Sequence, residues 1–428
     1  MRQFKGVLVD AEPKSIQKIQ QMTELKPHLR KDNLICGRSG CGSNWAYGYS
    51  TTSSNSPLYL EGLDCIRREA EKLGHCLGLC LIHSLAGGTG SGLGLRLVEE
   101  ADSELSLRLR LCFTVVPHRY GDSPLQAYNS LLCLARLTQL SDSIVLLYND
   151  WLLEQLQMWQ SPGDKPPDER PILSNTSINL DQMNRLASDQ MSNLLSPCHW
   201  PSCPKEFGDV DKGTGADEED VHCQPLELSH ILTALPEARL IRCVSTPTER
   251  IRIHKKLFDK LYTEPNNWTI QLGLLQNTLH QCPIDATWNL YKPGRQTGCR
   301  PMNCLAALLA YRMHYTNALS TGDDKQYQAK CKPNQGIVKH QAIRSLWDYI
   351  RPVPWNPEPI DQWFDVNGKT TRNSVTLAFN SCCITEDLNC LISRAYMRWR
   401  AGAYLHWYKK YGCTERYSGR HHHHRRAV

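Results

Sequence analysis

Apolar positions along this chain switch between two periods, and the switches mark its elements. Leu79 to Leu85 is a short apolar run, which predicts a buried strand. After it, Leu93, Leu97 and Ala101 recur at helical spacing. Similar strand-like runs occur at Gly6–Val9, Leu111–Pro117 and Ile144–Tyr148. Helical patterns lie over 61–73, with Leu63, Ile66, Ala70 and Leu73 on one face, and over about 125–140. This alternation predicts an α/β fold with a doubly wound parallel sheet, whose loops gather at one sheet edge. Further on, Asp181 to Leu195 reads as one long helix, with Met183, Leu186, Ala187, Met191 and Leu194 at core spacing. A helix near 226–235, a strand near 240–244, a mixed region, a late strand at Val375–Phe379 and two closing helices follow.

Chemistry concentrates between the strand ending at Leu85 and its helix. Ala86-Gly87-Gly88-Thr89-Gly90-Ser91-Gly92 is a glycine loop at a helix N-terminus. Glycines let backbone approach a ligand closely, N–H groups point inward, and the helix dipole favours negative charge. Thr89 and Ser91 add small hydroxyl donors, so the loop reads as a phosphate cradle. It lacks the Gly-Lys-Ser/Thr ending of a P-loop and does not follow G-x-G-x-x-G. A flexible linker is the bland alternative, but linkers do not separate an apolar strand from an amphipathic helix. Asp10 and Glu12, two apart at the end of a strand, share one side of an extended backbone. Such a pair suits Mg²⁺, which takes few carboxylates alongside phosphates and waters; solvated loop acids are the commoner alternative. A second glycine-rich loop runs from Cys36 to Ala46.

Composition narrows the class. The chain has 428 residues, 41% of them hydrophobic, enough for two or three domains with real cores. The start is expected to carry no signal peptide, and no apolar stretch reaches membrane-spanning length. Nineteen scattered cysteines read as reduced thiols of an intracellular protein. A net charge of +6 is modest, and nucleic-acid binding is not expected. Cys36 and Cys41 lack the second pair that a metal set needs. Residues 197–225 break the pattern; Cys198, Cys203, His222 and Cys223 do not have usual zinc spacing and read as part of a solvated insertion.

Taken together, these segments resemble the tubulin family, most closely its δ branch. The glycine loop is similar to the tubulin phosphate-loop signature, with Ala86 where most tubulins carry Gly. Val9-Asp10-Ala11-Glu12-Pro13, Gly42-Ser43-Asn44-Trp45-Ala46-Tyr47-Gly48, Val115-Val116-Pro117 and Ala403-Tyr404-Leu405-His406-Trp407-Tyr408 match in order and spacing. The δ assignment rests on Ala86, on Arg394-Ala395-Tyr396-Met397 with Tyr404, and on Pro236-Glu237. The resemblance implies a nucleotide-binding domain over 1–178, a core helix over 179–196, an irregular insertion over 197–225, an intermediate domain over 226–384 and C-terminal helices with a polar tail over 385–428. It also implies that the family's first strand and loop, and its acidic C-terminal tail, are absent, leaving an exposed strand edge.

The same resemblance implies GTP/GDP with Mg²⁺. Ala86 to Gly92 and Asn44 would face the phosphates, Asp10 and Glu12 the Mg²⁺, and Asp122 the ribose. The acid that follows Asp122 in the family is Gln126 here, which weakens the ribose contact. Asn149 and Asn184 would read the guanine edge. Glu227 would act as the hydrolytic acid on a neighbouring subunit's nucleotide, giving a weak, assembly-dependent GTPase. Expected partners are other tubulins or centriolar proteins, in the cytoplasmic cytoskeleton at centrioles, basal bodies and cilia. A second reading is a nucleotide-incompetent centriolar scaffold or a partial gene product. A third, a dinucleotide enzyme, lacks the acidic residue expected about 20 positions after the loop.

Overall fold

A computed structural model describes residues 6–23, 25, 27–50, 56–73, 76, 78–119, 121, 123–160, 178–195, 225–248, 251, 254, 268–281, 302–312, 346, 350–364 and 374–413. The chain divides into two units, one of residues 1–148 with 385–428 and one of residues 149–384.

The first unit is α/β. Its strands β1 (Leu8–Asp10) and β2 (Leu34–Cys36) pair in parallel with each other. β3 (Gly78–Ser84), β4 (Leu109–Val116) and β5 (Ser143–Tyr148) form a separate parallel set in that order. β4 and β5 are almost wholly buried, as their unbroken apolar sequences require. β3 has β4 as its one neighbour among the described residues, and Ile82 in its middle is 55% exposed.

The helices follow from local signals. α1 (Pro13–Gln21) and α3 (Pro57–Lys72) both open on proline, whose fixed φ suits the first helical position. That proline starts α3 four residues before the apolar spacing suggests, and leaves Leu73 outside it and exposed. α2 (Trp45–Ser50) is short; α4 (Gly94–Leu105) and α5 (Gln126–Leu140) cover the sheet. Tyr59 and Leu63 of α3 pack on Leu97 of α4 and on Leu93, with Val9 of β1 against the same cluster.

The second unit contains α6 (Asn149–Gln160), α7 (Leu180–Leu195), α8 (Pro225–Leu232) and α9 (Trp268–Gln281). Its sheet is mixed. β10 (Ser374–Ser381) runs antiparallel to β6 (Leu240–Ser245) and β7 (Met302–Arg312). β7 is parallel to β8 (Ile350–Pro352) and β9 (Ile360–Phe364). Asn193 of α7 donates to the Thr376 hydroxyl at 2.8 Å, and Asn380 donates to the Leu232 carbonyl at 3.0 Å, fixing α7 and α8 on β10.

The chain then returns to the first unit through α10 (Ile384–Arg400) and α11 (Leu405–Lys410). Cys198, Cys203, His222 and Cys223, with the rest of 197–224, lie outside the described residues, as do 414–428. No described helix is long and apolar enough to cross a membrane.

Candidate functional site

The glycine loop is shaped first by the backbone it must pass. β3 delivers the chain to Gly88, and a π-type turn, Thr89–Leu93, leads into α4. A Cβ on Gly88 would meet the carbonyls of Cys41 and Asn44, each at 2.7 Å. One on Gly90 would meet the Ser84 carbonyl at 2.9 Å, and one on Gly92 the Tyr49 nitrogen at 2.8 Å. From the facing side, a Cβ on Gly48 would collide with the Gly88 carbonyl. Gly88, Gly92 and Gly48 therefore let two loops touch, and Gly90 lets the loop fold back on β3. Gly87 differs, since a Cβ there would meet nothing within 4 Å. Of the expected cradle, Gly87 is the residue that faces open space.

Asn129 on α5 locks the two loops together. Its side-chain nitrogen donates to the Ser43 carbonyl at 2.7 Å and to the Ala86 carbonyl at 2.8 Å. Its side-chain oxygen accepts from the Trp45 backbone N–H at 2.8 Å and from the Tyr408 hydroxyl at 2.7 Å. The residue is fully buried, so all four bonds form away from water, where each costs most to lose. No sequence motif pointed to Asn129. Its one signal is an amide set among the apolar positions of α5.

Asn44 stands at the head of α2. Its side-chain oxygen accepts from the Ala46 N–H at 2.8 Å, so it caps the helix. Its side-chain nitrogen is buried and has no partner. A buried donor left open beside Gly88 is what an anionic ligand satisfies. Ser91 is less available, because its hydroxyl bonds the Gly87 carbonyl and is fully buried. Cys41 shows what lies nearby. Burial pushes its thiol up, a hydrogen bond to Thr89 pulls it down, and the carboxylates of Asp10 and Glu12 push it up again. Asp10, Glu12, Cys41, Asn44, Ala86 and Gly87 to Gly92 thus gather in one place. Asp10 also accepts the Glu12 N–H at 3.2 Å, and Glu12 lies beside Gly40, whose φ of +65° is left-handed. Among the described residues, no group of three or more His, Cys, Asp or Glu could hold a metal by itself.

Under the loop sits His83 of β3. Its Nδ1 lies 3.0 Å from the Gly90 carbonyl and its Nε2 3.0 Å from the Thr114 hydroxyl. A neutral ring with the proton on Nδ1 donates to the first and accepts from the second. Burial pushes the imidazole down from 6.5 to about 4, outweighing the carbonyl's opposite pull.

Asp122 is outside the described residues. Gln126 donates to the His118 carbonyl at 2.8 Å, which holds its side chain within the turn. Asn149 opens α6 and Asn184 is exposed on α7, both in the second unit. Glu227 lies on α8 of that unit, and its side chain is not among those described.

Residues 2–157 match the Tubulin/FtsZ family, GTPase domain. The chain carries a Tubulin/FtsZ-family GTPase domain. Along its whole length the chain is similar to the human tubulin delta chain, 24% identical over 433 aligned positions covering 96% of this chain and 82% of that protein. It is 31% identical to the tubulin beta-1 chain of Colletotrichum graminicola over 198 residues, 46% of this chain and 41% of that protein. It is 34% identical to the tubulin beta-6 chain of Gallus gallus over 151 residues, 35% of this chain and 33% of that protein. This chain therefore spans less than half of the two β-chains it matches. It is a tubulin-like protein, and the GTPase domain implies a guanine nucleotide.

Two outcomes test this geometry. An unfolded histidine takes a proton near 6.5 and folded His83 only near 4, so the unfolded chain binds more protons between those values. The stability that neutral His83 carries is complete above pH 6.5 and is lost as pH falls toward 4. Denaturant unfolding at pH 5 should show about 2 kcal/mol less stability from this group than at pH 7.5, and His83→Gln should remove that difference. Tyr408→Phe removes one donor yet leaves the Asn129 oxygen bonded to Trp45, so it should cost about 1 kcal/mol. Asn129→Leu strands several buried partners and should cost about 3 kcal/mol or more in the same measurement.

Proposed function

We propose that this chain binds GTP or GDP through the Asn44–Gly87 face and acts as a tubulin-like cytoskeletal protein. Two observations carry this reading: the buried Asn44 amide nitrogen has no partner, on a residue whose backbone packs against Gly88, and the preceding loop glycine, Gly87, faces open space. The phosphates would lie over Gly87, accept from Asn44 and Thr89, and sit at the start of the π-type turn, where backbone N–H groups and the helix dipole favour anions. Asp10 and Glu12 would hold Mg²⁺ by two carboxylates, which suits an ion that completes its shell with phosphate oxygens and water. The ion supplies charge neutralisation on the phosphates. Asn149 and Asn184 are proposed to read the guanine edge. Glu227 is proposed to orient water on a neighbouring subunit's nucleotide, which makes hydrolysis depend on assembly. Other tubulins or centriolar proteins are the proposed partners. Likeness to the delta chain supports a place at centrioles, basal bodies and cilia.

A second reading, a scaffold that binds no nucleotide, draws support from the internal use of Gly88, Gly90, Gly92 and Ser91. Titration calorimetry with GTP and with ATP separates the two. GTP should bind and ATP bind far more weakly. Gly87→Val should leave the melting temperature nearly unchanged yet weaken GTP by about tenfold to a hundredfold, the worth of one or two charge-assisted bonds. If neither nucleotide binds, the scaffold reading stands.

A further inference from the structure

The closing helices carry a surface that the proposed nucleotide site does not use. Of the fourteen large apolar side chains exposed among the described residues, six lie between Ile392 and Trp407. Scattered single exposures need no explanation, but this concentration does. Tyr396 and Trp399 stand four and seven positions beyond Ile392 on α10, so the three share one helical face. Met397 beside them is 62% exposed, and Tyr404 and Trp407 extend the row. The inward side is already committed. Ala395 and Tyr408 are buried, and Arg394 donates to the Arg119 carbonyl at 3.0 Å.

Charge on this surface has one sign. From Leu388 to Cys413 the chain carries Arg394, Arg398, Arg400, Lys409 and Lys410 and no Asp or Glu. Among the described residues, Arg398 and Arg400 enter no ion pair. Lys410 lies over the rings of Trp407 and Tyr411, at 5.7 and 5.5 Å.

We propose that the outer face of α10 and α11 docks an acidic protein segment with an apolar anchor. The anchor packs on Ile392, Tyr396, Met397 and Trp399, and the flanking carboxylates pair with Arg400 and Lys410. The aromatic faces argue for a peptide over a single-stranded nucleic acid. Trp399 already stacks on Tyr396 at 5.8 Å and Trp407 is covered by Lys410, so the rings offer few open faces for bases. Aliphatic Met397 and Ile392 suit a side-chain anchor.

The test uses the full chain and fluorescence anisotropy. The probe is a labelled all-glutamate peptide with a central Leu-Phe pair. Competing probes are the same peptide without that pair, oligothymidylate, and phosphatidylserine vesicles. The glutamate peptide with its anchor should bind best, and lose about tenfold without the Leu-Phe pair. Combined Arg400→Glu and Lys410→Glu should weaken it by at least about tenfold. Added salt should weaken it as well. Arg400 and Lys410 are exposed, so the variant should keep its circular dichroism and its GTP affinity. Should the variant misfold, the anchor and salt comparisons on the natural chain decide. Tighter binding of oligothymidylate or vesicles, or peptide binding indifferent to the anchor and to salt, overturns the proposal.

Discussion

One buried amide holds the first unit's site together. Asn129 reaches from α5 to Ser43 and Ala86 with its nitrogen, and to Trp45 and Tyr408 with its oxygen. Neither loop could take this shape alone, because each would leave buried backbone groups unpaired. With Asn129 in place, both are satisfied at once and the second loop lies flat on the first. The C-terminal helices enter the same knot through Tyr408, whose ring also meets Tyr128 edge-on at 5.2 Å. A residue late in the chain thereby sets the geometry of loops formed near its start.

Close packing follows from that tie. With the loops drawn together, the Gly88 carbonyl lies where a Cβ on Gly48 would be, and Gly88 lies against Asn44 and Cys41. Side chains at these points would push the loops apart. His83 supports the arrangement from below by fixing the Gly90 carbonyl. The loop is thus held from three sides by neutral hydrogen bonds. That leaves the carboxylates of Asp10 and Glu12 as the nearby charges, both felt at Cys41.

Much of this unit was legible in the sequence. Strands β4 and β5 fall within two residues of their apolar runs, because burial on both faces leaves an unbroken apolar pattern, and β3 does so although Cys80 and Ile82 on it are exposed. Helix α6 was missed. Its signal is Trp151, Leu152, Leu156 and Trp159, which are buried at helical spacing. The mixed sheet from β7 to β9 gave no clear period: β7 is apolar along most of its length and β8 has only three residues. At the site, sequence singled out the loop but gave every glycine the same task. Whether a glycine faces ligand or backbone depends on what packs against it, and only the fold supplies that. Asn129 escaped for the same reason: its partners lie 43 to 279 positions away.

The central claim is that Asn129 makes one rigid platform from two loops. Amide hydrogen exchange on the natural chain and on Asn129→Leu tests it directly. Exchange should quicken together in residues 41–50 and 86–93, while the amides of β4 and β5 stay protected. Faster exchange in one loop alone, or in neither, would contradict the account.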